Sequence, residues 1–169
     1  MYRMIAIACI DAENGIGKNG NLLISIPEDM KFFRENTKDS VVIMGMKTLF
    51  SFKDKKPLKN RINIVFTRND ELKNNYKDCD NIFFVKNESE LDKLLENYKD
   101  KKIFLIGGAS IYKDLIDKCD TCLITKLNKS FNADTYFPNL KEHGFIVESE
   151  SDNYTHEGIN YKFIKYVRG

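Results

Sequence analysis

A carboxylate set among apolar side chains can hold a hydrogen-bond-donating ligand or favour a proton transfer, and Asp29 is such a group. It lies in SIPEDMKFFRENTK, residues 25–38. At about 100° per residue, Glu28, Lys31, Arg34, Glu35 and Lys38 fall on the half of a helix opposite Asp29 and form a solvated face. Asp29 instead shares its arc with Met30, Phe33, Asn36 and Thr37, the side that packs against the protein. The helix start has no need of it. Ser25 and Glu28 fit the S-x-x-E capping box, Pro27 occupies the first turn where its missing N–H is harmless, and Glu28 already answers the helix dipole. Burying an unpaired carboxylate costs several kcal/mol unless donors meet it or its pKa rises. Two readings stand on geometry alone, a ligand-binding acid and a structural pair.

Two other stretches suit phosphate. Ile43-Met44-Gly45-Met46-Lys47-Thr48 and Phe104-Leu105-Ile106-Gly107-Gly108-Ala109-Ser110 each pass from an apolar run through glycine into a helix-like segment. Glycine at a helix entrance lets backbone N–H groups approach phosphate closely. Neither matches G-x-G-x-x-G or the P-loop, and each alone is an ordinary tight turn; as a pair they suit a dinucleotide. Cys119-Asp120-Thr121-Cys122 is a C-x-x-C, but it has no second pair, and His143 and His156 lack ligand spacing. It leads into a strand-like run rather than a helix, so all four cysteines read as reduced thiols and no metal is expected.

The elements that must position these groups follow from periodicity. Met4–Ile10, Val41–Met44, Ile62–Phe66, Ile82–Val85, Ile103–Ile106 and Cys122–Leu127 are apolar, β-branched runs that predict strands. Helical patterns lie between them at Pro27–Lys38, Met46–Phe52, Glu88–Tyr98 and Ala109–Leu115, the third capped by Asn87 or Ser89. Such alternation predicts an α/β fold, a mainly parallel sheet with helices on both faces. Phe145–Glu150 and Tyr161–Val167 alternate in polarity and predict an antiparallel hairpin closing one edge, joined by residues 152–158. The glycine-bearing stretch Asp11–Ser25 is a long loop and a candidate lid.

Composition excludes several classes. The 169 residues are the size of one domain, with 42% hydrophobic and 31% charged residues. The 27 basic residues against 25 acidic leave a charge of +2, scattered along the chain, so nucleic acid is not an expected partner. The apolar run before Asp11 is too short for a membrane span and has no cleavage site, which reads as cytoplasmic.

In chain order the motifs are IAIACIDAENGIGKNGNL, IPEDMKFFRENT, VVIMGMKT, PLKNRINIVFTR, IFLIGGASIY and NADTYFP. Together, from about Met4 to Pro138, they resemble dihydrofolate reductase of the bacterial chromosomal kind. The resemblance implies an eight-stranded sheet with an antiparallel C-terminal edge and NADPH-dependent reduction of 7,8-dihydrofolate by a monomer. Asp29 matches the acid of the pterin pocket, a bidentate acceptor for the ring's amino group and adjacent nitrogen. Ile5, Ala6, Met30, Phe33, Phe52, Leu58, Ile106 and Tyr112 match pterin and benzoyl contacts, Arg61 the clamp on the glutamate α-carboxylate, and Thr125 the far side of the Asp29 network.

For NADPH, the resemblance implies Ala8, Ile16, Gly17, Asn21 and Leu22 at the lid and nicotinamide, with Thr135 a further cofactor-binding residue. Gly45, Met46, Lys47 and Thr48 match one phosphate-binding helix, and Gly107, Gly108, Ala109, Ser110, Ile111 and Tyr112 the other, with a cis Gly107–Gly108 bond. Thr67, Arg68 and Lys86 match the adenosine end. The chain departs from the family at Leu23-Ile24, where Pro-Trp is common, at Met46, where arginine commonly binds the 2′-phosphate, and at Ala109, where a third glycine is common. A pyrimidine reductase of riboflavin synthesis and a non-enzymatic nucleotide-binding module are the alternatives; the IPEDMKFFRENT helix with its inward acid argues against the first, and the second has no use for Asp29 and Arg61 together.

Overall fold

A computed structural model describes residues 3–169. The elements are β1 (Met4–Ile10), β2 (Gly15–Lys18), β3 (Asn21–Leu22), α1 (Pro27–Thr37), β4 (Val41–Gly45), α2 (Met46–Ser51), β5 (Ile62–Phe66) and β6 (Ile82–Val85). They continue as α3 (Glu88–Leu95), β7 (Ile103–Gly107), α4 (Ala109–Leu115), β8 (Thr121–Leu127), β9 (Thr135–Tyr136), β10 (Phe145–Glu150), β11 (Tyr154–His156) and β12 (Ile159–Arg168).

The main sheet runs β10-β12-β8-β1-β7-β4-β5-β6. The six strands from β8 to β6 are parallel, and β12 and β10 close the edge antiparallel, as the sequence predicts. Successive side chains on a strand point to opposite faces, and here both faces are buried. Met4, Ala6, Val41, Ile43, Ile103 and Leu105 pack on one face with Leu91 and Leu95 of α3 and Ile111 and Leu115 of α4. Ile5, Ile7, Val42, Met44 and Phe104 pack on the other with Leu49 of α2 and Phe32 and Phe33 of α1. Burial on both faces is why the parallel strands read as unbroken apolar runs.

Four local expectations are corrected. The stretch 11–25 is not all loop, because β2 pairs with β3 and with β9 in a separate three-stranded sheet. The joining stretch 152–158 contains β11, which pairs back on β12. The third helix is regular only to Leu95, then tightens to a 3₁₀ turn over Glu96–Tyr98; Asn87 caps its start by accepting from Glu90 N–H. The Ser25–Glu28 capping box does not form. Ile26 is the N-cap, with no side-chain cap bond, because its own side chain is buried against Leu127 and Tyr161. That shift of one residue puts Asp29 rather than Glu28 third in the helix, and the Ser25 hydroxyl turns to Met30 Sδ at 3.3 Å.

Candidate functional site

Asp29 leaves the first turn of α1 and reaches the sheet where β1 and β8 lie side by side. Cys9 and Thr125 are register partners on those strands, and both meet the carboxylate. Thr125 Oγ1 donates to Asp29 Oδ1 at 2.5 Å, and the Cys9 thiol is also hydrogen-bonded to it. Burial raises the Asp29 pKa above the ordinary carboxylate value, against the lowering effect of these two bonds. An ionised carboxylate has about four lone-pair sites. Two neutral donors leave acceptor capacity, and among the described residues no lysine or arginine is paired with it.

Around the acid, the even and odd residues of β1 go to opposite faces. Ile5 joins Phe33, Phe52, Leu58 and Ile106 in one cluster on the Asp29 side. Ala6 and Ala8 pack on the other face, so only their backbone is available to this side. Met30 is 50% exposed, so this member of the predicted inner arc stays largely in solvent while Phe33 packs and Thr37 is buried. Sequence reasoning missed Ile7 and Cys9, which the strand period places with Ile5, and Phe32, which stacks on Phe163 at 4.5 Å.

Arg61 enters from the turn before β5. Its Nε is buried without a hydrogen-bond partner among the described residues. Burial first, then the nearby Arg34, lowers its pKa, against Asp39. The turn is braced by Asn63, wholly buried, whose amide donates to Leu58 and Arg61 carbonyls and whose oxygen accepts Leu58 N–H at 3.0 Å. A polar residue inside the apolar run Ile62–Phe66 was the overlooked signal for this brace.

The two glycine junctions are neighbours. β4 pairs with β7, with Met44 opposite Gly107, so the starts of α2 and α4 lie together at the carboxyl ends of adjacent strands. The Gly107–Gly108 peptide is cis. Gly107 has φ +121°, and a Cβ there would stand 3.4 Å from Thr48 Oγ1 and 3.6 Å from the Tyr112 ring, leaving a bare backbone cradle between the helices. Gly45 faces Ile111. Buried Tyr112 anchors α4 by donating its hydroxyl to the Ile7 carbonyl at 2.6 Å. Ala109 and Gly108 are half-buried, while Lys47 and Ser110 are exposed.

The small sheet gathers the remaining residues of the Gly15–Leu22 stretch. Gly17 pairs with Leu22 and with Thr135, and Ile16 and Asn21 lie on the same strands. Asp11 holds this sheet to the end of β1. Only 1% exposed, its carboxylate accepts Gly15 N–H at 2.7 Å, Glu13 N–H at 2.9 Å and Phe131 N–H at 3.0 Å. Burial pushes its pKa up, but those bonds and Lys126 outweigh it and leave it below the ordinary value.

Beyond the carboxyl ends of β5 and β6 lies a cavity of about 260 Å³ lined by Thr67, Asn69, Asp70, Lys73, Phe84, Lys86 and Glu90. Thr67 and Lys86 are thus together. Arg68 is exposed and outside the lining. Met46 touches one lining residue, its Sδ accepting the Thr67 hydroxyl at 2.9 Å. Cys119 and Cys122 are buried in the core on the α3–α4 side, away from all of this.

The sequence model of the family described as Dihydrofolate reductase matches residues 3–168. A dihydrofolate reductase of Sus scrofa is 36% identical over 182 residues, covering 96% of this chain and 96% of that protein. One of Heliothis virescens is 34% identical over 181 residues, covering 98% and 96%. A solved dihydrofolate reductase from Enterococcus faecalis, complexed with NADP(H) and RAB-propyl, superposes with a TM-score of 0.80 at 25% identity, covering 99% of this chain and 96% of that one.

Proposed function

This chain belongs to the dihydrofolate reductase family, and we propose that Asp29, with Thr125 and Cys9 behind it, is the acid that orients the pterin ring for reduction. The protein reduces 7,8-dihydrofolate to 5,6,7,8-tetrahydrofolate with NADPH. The pyrimidine-reductase and nucleotide-module alternatives are not favoured by these relatives.

The observation that carries the role of Asp29 is its half-buried carboxylate, held by two uncharged donors and paired with no cation among the described residues. The pterin's amino group and adjacent ring nitrogen supply two more donors in a fork that matches the carboxylate. When bound, NADPH supplies the hydride that C6 accepts, and N5 must then take a proton. Asp29 favours that protonation by staying near a ring it also aligns, with its pKa raised by burial. Ile5, Ile7, Phe33, Phe52, Leu58 and Ile106 supply the apolar walls that keep water from the ring, and Tyr112 steadies the strand carrying Ile7. Arg61, with a donor that no described residue satisfies, is suited to the glutamate carboxylate at the far end of the substrate.

The cofactor fits the paired glycine junctions. The turn at Gly107, whose φ of +121° suits only glycine and leaves the backbone bare before Thr48 and Tyr112, admits a pyrophosphate against Gly45–Thr48 and Gly107–Tyr112 backbone. The β2–β3–β9 sheet stands at the nicotinamide end, with Ile16, Gly17, Asn21, Leu22 and Thr135, and the cavity of Thr67 and Lys86 takes the adenosine end. The backbone of Ala6 and Ala8 completes the floor.

The same reading makes the protein a single-domain, cytoplasmic monomer. Four unpaired cysteines support a reducing compartment, and no helix among the described residues is long and apolar enough to cross a membrane.

Absorbance at 340 nm with dihydrofolate and NADPH tests the assignment of Asp29. Asp29→Asn lowers single-turnover hydride transfer on the order of 10²–10⁴-fold while NADPH affinity, measured by fluorescence titration, stays within a factor of two or so. Equal loss of both overturns it.

A further inference from the structure

The cavity assigned to the adenosine end holds as many acids as bases. Lys86 and Lys73 line it together with Asp70 and Glu90. Asp70 Oδ1 stands 2.8 Å from Lys86 Nζ. Glu90 Oε1 accepts the backbone N–H of the same lysine at 3.0 Å. Thr67 of the lining gives its hydroxyl to the thioether of Met46, so the side chain next behind the lining there carries no charge.

NADPH differs from NADH by one phosphate on the adenosine ribose, a group carrying about −1.5 to −2 charge at neutral pH. A cavity selects for that charge with unopposed cations. It tolerates the bare hydroxyl when a carboxylate is at hand to accept it. Here one of the two lining lysines, Lys86, is already paired with Asp70, and a phosphate entering beside it meets the charge of that carboxylate. Both partners of the ion pair are more than half exposed, so the pair adds little to fold stability, and its consequence falls on the ligand.

We propose that Asp70, together with Met46, is a specificity-determining residue that weakens discrimination by the 2′-phosphate, so that NADH serves this enzyme as a second hydride donor. The inference rests on the reading of this cavity as the adenosine end, and its test separates the two.

The probes are adenosine 2′,5′-bisphosphate and adenosine 5′-monophosphate, titrated calorimetrically into the whole protein, with kcat/KM for NADPH and NADH measured alongside. The wild-type protein binds the bisphosphate no more than about tenfold tighter than the monophosphate, and Asp70→Asn tightens the bisphosphate about five- to tenfold with little change in the monophosphate. Met46→Lys shifts the ratio in the same direction, Lys86→Ala weakens the bisphosphate, and the kcat/KM ratio of NADPH to NADH follows the binding ratio in each variant. If Lys86→Ala weakens the bisphosphate but Asp70→Asn leaves the ratio unchanged, the adenosine end is correctly placed and the role of Asp70 is wrong. If neither substitution alters the binding of either nucleotide, adenosine lies elsewhere and the inference falls with the reading beneath it. A wild-type preference for the bisphosphate on the order of a hundredfold or more also overturns it. Asp70, Lys86 and Met46 are not in the buried core, and a thermal melt of each variant confirms that its fold is intact.

Discussion

Thr125 Oγ1 donates to Asp29 Oδ1 at 2.5 Å, a bond joining residues 96 positions apart in the chain. Thr125 is 2% exposed and lies opposite Cys9, so the acid of α1 is fastened to two adjacent parallel strands at one point of the sheet. A hydrogen bond to the charged form lowers a carboxyl pKa, while burial raises it. Removing one donor therefore moves the balance upward. In Thr125→Val the pH at which the hydride-transfer rate falls off moves to higher pH than in the wild type. A pH–rate profile with deuterated cofactor isolates this step, and an unmoved break would show that Thr125 only packs.

Asp29 also bears on stability. Its pKa is raised in the folded protein, so the folded state binds this proton more tightly than the unfolded chain does. The stability linked to that proton is present at low pH and is lost as pH rises through the folded pKa. Asp29→Asn removes the buried charge, and its stability relative to wild type is more favourable at neutral pH than at pH values below the ordinary carboxylate pKa. Urea denaturation at both extremes reads the difference. A variant that loses more stability at neutral pH than in acid contradicts this account.

The role proposed for Arg61 is that of a remote anchor. Its buried, unsatisfied Nε and its turn braced by Asn63 present the guanidinium without requiring rearrangement. Arg61→Ala raises the KM for dihydrofolate by about 2 kcal/mol, roughly thirtyfold, with a much smaller change in single-turnover rate. A collapse of the rate with KM unaltered would place the clamp elsewhere.

Asp11 is the counterpart of Asp29 in sign. Its carboxyl is held below the ordinary range by three backbone N–H groups and Lys126 in spite of burial. The stability it contributes is present above the unfolded carboxylate pKa and lost as pH falls through the lowered folded pKa. Asp11→Ala orphans those donors and destabilises the protein by about 3 kcal/mol at neutral pH, with the gap to wild type closing in acid. Limited proteolysis detects early cleavage between Glu13 and Ser25 in the variant; equal resistance would mean that the three-stranded sheet holds without Asp11.

Much of the site was legible because its signals are local. The helical period alone put Asp29 on the inner arc, since 3.6 residues per turn leave the charges of Lys31, Arg34 and Lys38 on the other side. Continuous apolar runs announced parallel strands because both faces of β1, β4 and β7 are covered. Glycine ahead of a helical pattern marked both junctions. Motif order extended this to the substrate and cofactor.

Other features exist only in three dimensions. Whether the Gly45 and Gly107 turns adjoin depends on β4 pairing with β7 across the inserted β5 and β6, and pairing between distant strands is settled by the packing of all of them at once. Cys9 read as an ordinary core thiol until register set it beside Thr125. The capping box failed because burying Ile26 prevailed over a local hydrogen bond at Ser25. The residues of the Asp11–Ser25 stretch found strand partners at Thr135 and Tyr136, more than a hundred positions away. Sequence by itself determined which residues turn inward, because periodicity is a property of one element. Tertiary structure decided which of them meet, because donors, acceptors and charges from separate elements acquire partners only when the sheet has brought their ends together.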